Sequence, residues 1–106
     1  MKRIIPILML FLALPAGVHS ATSAVHIKGD AFVPPTLTVP AGTTVTFAND
    51  DDDAHTVTAS DGTFDSKGLD TSQTWQHTFE KPGTYRYFCQ LHPFMKGTIV
   101  VKAVNS

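Results

Sequence analysis

Two strand-like runs, Gly83 to Phe88 and Gly97 to Ala103, are separated by C-Q-L-H-P-F-M, a seven-residue loop that carries Cys89, His92 and Met95. No bulky secondary structure lies between these residues, so closing the loop brings a thiol, an imidazole and a thioether to one point. His55 stands far upstream, at the start of another strand-like run. Any fold open to this chain must carry that remote strand end back to the loop. Thiolate, two imidazoles and a thioether form the donor set of a blue copper site. The soft cysteine sulfur bonds strongly to copper, the two nitrogens suit both oxidation states, and a weak axial methionine sets the potential. Cys-x-x-His alone is a weak signal; Met95 in register strengthens it and His55 makes it strong.

Elsewhere, short runs rich in Val, Thr, Phe and Tyr alternate with Gly, Pro and Asp punctuation, and no sustained helical period follows residue 20. The pattern predicts an all-β chain with strands at Ala24 to Lys28, Thr36 to Val39, Thr43 to Ala48, His55 to Ser60 and Gln73 to Phe79, besides the two already named. Pro40-Ala41-Gly42, Asp61-Gly62 and Lys81-Pro82-Gly83 supply turns between them. Side chains alternate faces along a strand. Val45 and Phe47 therefore point inward together, Trp75, His77 and Phe79 share a face, and Tyr85, Tyr87 and Cys89 share another, which aims the thiol inward. Seven or eight such strands fit a two-sheet sandwich.

Residues 1–20 read as a secretory signal, with Lys2 and Arg3 at the start, an apolar run from Ile4 to Leu14 and small residues from Ala16 onward. The run is too short and too poorly flanked to span a membrane, so no stable membrane insertion is expected. Cleavage after Ser20 leaves residues 21–106 as one small domain. Loss of Lys2 and Arg3 leaves six Lys and Arg against nine Asp and Glu, a net charge of −3 with histidines neutral. That balance argues against a nucleic-acid partner. The one cysteine cannot form a disulfide within the chain, and a free thiol in an oxidising compartment is a liability that metal binding removes.

The chain from residue 21 onward resembles the cupredoxins, the small blue copper proteins that include plastocyanin, pseudoazurin and amicyanin. The resemblance rests on Phe47-x-Asn49 ahead of His55, on Lys81-Pro82-Gly83-Thr84-Tyr85-x-Tyr87-Phe88-Cys89, on His92-Pro93-Phe94-Met95 and on Gly97-x-Ile99-Val100-Val101. The two-residue gap between His92 and Met95 is most similar to the amicyanin loop. It implies a Greek-key two-sheet β-sandwich holding one type 1 copper ion. His55, Cys89 and His92 would be equatorial ligands and Met95 the long axial one. Asn49 and Thr56 would support the ligands from behind. Leu91, His92, Pro93 and Phe94 would form an exposed apolar patch through which electrons pass. The implied function is a periplasmic one-electron carrier, monomeric, docking briefly with protein redox partners as donor and acceptor, and not an enzyme. The alternative is a periplasmic copper carrier or chaperone, against which stands the lack of a methionine cluster: only Met95 remains after residue 20.

Three departures from the family pattern bear on the site. Thr56 stands where many members have asparagine, and a hydroxyl offers fewer hydrogen bonds than an amide, so a looser support of the two ligand loops is expected. Ala54 replaces a frequent proline, and Phe88 lacks the hydroxyl of the tyrosine that serves plant plastocyanins as a remote port. His26 and His77 are expected to be structural. Asp50 to Asp53 is expected to be a solvated turn in preference to a docking patch for a basic partner.

Overall fold

The computed structural model describes residues 22–104; the expected signal segment and its cleavage point lie outside the described residues. Eight strands form among them: β1 (Thr22–Ile27), β2 (Phe32–Val33), β3 (Thr36–Pro40), β4 (Thr43–Asn49), β5 (Thr58–Ala59), β6 (Thr74–Phe79), β7 (Gly83–Phe88) and β8 (Lys96–Lys102). One sheet runs β2-β1-β4-β6 and the other β3-β8-β7-β5. The chain crosses between the sheets repeatedly, so sheet neighbours are often distant in sequence. That is why β1 pairs with β4, and β3 with β8, in parallel, while the remaining pairs are antiparallel.

The alternation read from the sequence sets the two inner faces. Along β4, Thr43, Val45, Phe47 and Asn49 are buried while the residues between them are half-exposed. Val25 and Ile27 from β1, Phe79 from β6, Tyr87 from β7, and Ile99 and Val101 from β8 complete the core. Tyr87 is its centrepiece, edge-on to Phe32 at 4.7 Å and to Phe47 at 5.5 Å between ring centroids. Gly97 makes room for that ring: a Cβ there would lie 2.3 Å from the tyrosine Cζ. Burial pushes the Tyr87 phenol well above its usual range, and its hydroxyl has no hydrogen-bond partner among the described residues.

Two elements differ from the sequence expectation. β2 is too short to show a period, and it exists because His26 and Ile27 of β1 offer it a free edge. The run expected from His55 to Ser60 is regular only at Thr58–Ala59. Before that, His55 exchanges backbone hydrogen bonds with Leu69 at 3.0 and 2.8 Å, and Val57 accepts one from Ser66 at 2.9 Å. The irregular segment after the Asp61-Gly62 turn has taken the edge that a longer strand would have used.

The pairing also decides where the loops gather. Ile27 of β1 and Asn49 of β4 are register partners, so the segments that follow them emerge side by side. In the other sheet Phe88 pairs with Lys96, which closes residues 89–95 into a loop at the end of the β7–β8 hairpin.

Candidate metal centre

Each predicted ligand is placed by a different local device. Cys89 follows the last residue of β7 and continues its inward alternation, which leaves the thiol fully buried. The loop then folds on itself: His92 N–H donates to the Cys89 carbonyl at 3.3 Å, Met95 N–H to the His92 carbonyl at 2.8 Å, and Cys89 N–H to the Met95 carbonyl at 3.2 Å. These bonds turn His92 back over Cys89 and bury Met95 to 2 % exposure. His55, fully buried, is fixed by its paired backbone bonds to Leu69.

The result is a convergence of donors. Nδ1 of His55 and Nδ1 of His92 each lie 3.7 Å from Cys89 Sγ. All three ligand atoms fall within 4.8 Å of one another. Metal–nitrogen and metal–sulfur bonds of about 2.0 and 2.3 Å, the values known for zinc, opening at a near-tetrahedral angle, would separate the two donor atoms by about 3.5 Å. The observed spacing therefore fits one first-row ion between the three groups. The donors are soft sulfur and imidazole, with a buried thioether in the same loop, a set that suits copper better than a hard cation.

His55 owes its orientation to Asp51, four residues before it. Its Nε2 lies 3.0 Å from Asp51 Oδ2, so the proton of the neutral ring sits on Nε2 and the Nδ1 lone pair faces the sulfur. Asp51 is itself held by backbone N–H groups of Gly29 at 2.8 Å and Asp30 at 3.0 Å, in a turn where both residues have positive φ. The N–H of Asp30 above all, then those of Gly29 and the His55 ring, hold the Asp51 carboxyl below its ordinary value against an opposing effect of burial. A carboxylate behind a metal-bound imidazole fixes its tautomer and raises its basicity. The aspartate run is thus not simply a solvated turn. Asp50 pairs with His26 at 2.7 Å, Asp51 faces inward, and Asp52 and Asp53 are exposed.

Asn49, fully buried, organises the segment leading to His55. Its Nδ2 donates to the carbonyls of Asp53 and Leu69, both at 2.8 Å, and its Oδ1 accepts the N–H of Asp51 at 2.9 Å. Thr56 ties the two ligand segments together. Its N–H donates to Cys89 Sγ at 3.3 Å and its Oγ1 accepts the N–H of Gln90 at 2.8 Å. Threonine thus joins the two segments through one backbone donor and one hydroxyl acceptor.

At the surface, Leu91 and Phe94 are 55 % and 68 % exposed, Pro93 is exposed and His92 half-buried between them. The Phe94 ring stands edge-on to His92 with centroids 6.1 Å apart. His77 is not part of this site. It lies half-buried among Trp75, Phe64 and Phe79, stacked 5.4 Å from the tryptophan at 16°, and burial lowers its pKa from 6.5.

A family model described as a cupredoxin-like domain matches residues 3–101. The chain belongs to the cupredoxins. Amicyanin-alpha of Methylorubrum extorquens is 36 % identical to it over 93 residues, covering 83 % of this chain and 75 % of that protein. A solved structure of a reduced amicyanin variant superimposes with a TM-score of 0.74 at 33 % identity, over 82 % of this chain and 88 % of the other. A copper-containing nitrite reductase from Thermus scotoductus gives 0.73 at 32 % identity, but covers only 26 % of that enzyme's chain. This cupredoxin is of the amicyanin kind, and its cofactor is one type 1 copper ion.

Proposed function

We propose that this cupredoxin is a one-electron carrier, exported to the periplasm, in which His55, Cys89, His92 and Met95 hold the copper. The signal segment would be residues 1–20 and the working domain residues 21–106. The observation that carries the reading is the meeting of two imidazole nitrogens on one buried thiol, each at 3.7 Å, with one of the two rings reaching the surface. The bound ion supplies the redox couple. The chain's part is to hold its donors still: Asp51 fixes the His55 ring, Thr56 fixes the sulfur, and the loop hydrogen bonds fix His92. Rigid donors reduce the rearrangement that accompanies gain or loss of an electron, and buried, apolar surroundings keep water from the metal.

Leu91, Pro93 and Phe94 around the half-buried His92 make a small apolar docking face, suited to short-lived contact with donor and acceptor proteins. The protein would act as a monomer and make or break no substrate bond. Likeness to the nitrite reductase extends over only a quarter of that enzyme and lends no support to a catalytic role.

Addition of Cu(II) to the purified protein tests the reading. An intense blue band with narrow copper hyperfine splitting in the paramagnetic resonance spectrum, both lost in Cys89→Ser, is the expected result. Tight, colourless Cu(I) binding without a blue Cu(II) form overturns it. N-terminal sequencing of protein recovered from the periplasm should begin at or near Ala21; an intact Met1 there would remove the proposed leader.

A further inference from the structure

Thr56 grips the ligand loop at two points, the Cys89 sulfur and the Gln90 N–H, and what grips Thr56 lies two residues further along. The side-chain oxygens of Thr56 and Thr58 are 2.9 Å apart, and Thr58 Oγ1 donates to Asp65 Oδ1 at 3.2 Å. A hydroxyl has one proton to give, and an ionised carboxylate only accepts. The Thr58 proton is therefore committed to Asp65, the proton between the two hydroxyls belongs to Thr56, and a lone pair of Thr56 receives the N–H of Gln90 at 2.8 Å. Every bond in this chain runs one way, from Gln90 through two hydroxyls to the carboxylate.

The chain is sheltered and anchored. Thr56 and Thr58 are 5 % and 7 % exposed, so water competes little for their hydroxyls. Asp65 is pinned by the N–H of Lys67 at 2.9 Å and by its bridge pairing with Thr58. Hydrogen bonds aligned head to tail polarise one another and strengthen.

We propose that Thr58 is a positioning residue of the copper centre: the relay Gln90–Thr56–Thr58–Asp65 locks Thr56 so that its N–H stays on the Cys89 sulfur and thereby sets the reduction potential. The proposal rests on the copper reading given above. Hydrogen bonding around the cysteine sulfur is one of the means by which a protein tunes such a potential. An N–H on the thiolate withdraws electron density from it and favours the reduced metal. Loosening Thr56 should therefore lower the potential.

Two variants separate this role from packing. Thr58→Val keeps the shape and removes the hydroxyl; Thr58→Ser keeps the hydroxyl and removes the methyl. In the metal-free protein, exchange of the Gln90 amide proton should quicken about fivefold in Thr58→Val relative to core amides, the factor that one net hydrogen bond carries. It should return to the original rate in Thr58→Ser. In the copper-loaded proteins, voltammetry should give a lower potential for Thr58→Val and an unchanged one for Thr58→Ser. An unchanged Gln90 rate and potential in Thr58→Val overturns the relay. So does a uniform quickening of all core amides in both variants, which would mark Thr58 as packing alone. Should the unmodified protein never turn blue, the copper reading fails, and the Gln90 exchange rate still decides whether the relay exists.

Discussion

A neutral imidazole has one proton, and the choice of nitrogen that carries it decides whether His55 can face the thiol with a lone pair. Asp51 makes that choice. Its carboxylate already receives two backbone N–H groups from the Gly29–Asp30 turn, so it cannot swing away without exposing those donors. Asp51→Ala should lower copper affinity about 10- to 100-fold, the usual cost of losing a carboxylate behind a metal-bound histidine, measured by competition against a chelator of known affinity. Tyr87 offers a contrasting case, since its buried hydroxyl lacks a partner among the described residues. Tyr87→Phe should raise stability by about 1 kcal/mol in urea denaturation, whereas Gly97→Ala, which drives a methyl into the same ring, should cost about 1–3 kcal/mol. The meeting of His55, Cys89 and His92 was legible in the sequence because these donor types, with a methionine in register, are rare together at this spacing. Asp51 was not, because four adjacent aspartates look alike until the fold sets the Gly29–Asp30 turn against one of them. Thr56 was legible by position but not by partner, since nothing in its identity shows that Gln90 N–H would be bonded to it.

At the level of elements, β6 carries a pH response separate from the metal. His77 is packed on its inner aromatic face, and burial lowers its pKa below the 6.5 of a free imidazole. The unfolded chain therefore binds a proton at a higher pH than the folded one does. Stability contributed by keeping this ring neutral is present above about pH 6.5, and is lost as the pH falls from there through the lowered pKa of the folded state. Melting temperatures of the metal-free protein between pH 7 and 5 should fall more steeply than those of His77→Gln; equal slopes would show that the ring titrates freely. The alternation of Trp75, His77 and Phe79 made this face readable from the sequence, as did the pairs Val45 with Phe47 and Tyr87 with Cys89. Alternation failed where hydrogen bonding is not strand to strand. β2 spans two residues, and the segment from His55 to Val57 answers to Leu69 and Ser66 in an irregular loop, so neither left a period to detect.

Across the whole molecule, the end that bears the metal centre is uneven in charge. The apolar face of Leu91, Pro93 and Phe94 surrounds His92, while carboxylates of Asp30 and Asp53 come within 4.8 Å of a nitrogen of that histidine. Two copies exchanging an electron through His92 must bring these faces together, which buries the apolar rings but also sets two acidic flanks near each other. Self-exchange between oxidised and reduced protein should accordingly quicken as salt is raised, because the screening length shortens from about 30 Å at 0.01 M to about 10 Å at 0.1 M and the repulsion between the acidic flanks weakens with it. Phe94→Asp puts a further like charge at the centre of the face, and like-charge juxtaposition across an interface costs several kcal/mol. Its self-exchange rate, followed by NMR line broadening, should fall at least tenfold at fixed salt, while the blue spectrum stays unchanged because Phe94 is exposed and supplies no donor atom to the site. A variant that keeps its rate would move the point of electron entry away from His92, and a variant that loses its colour would show that Phe94 supports the ligand loop and is no part of a docking face.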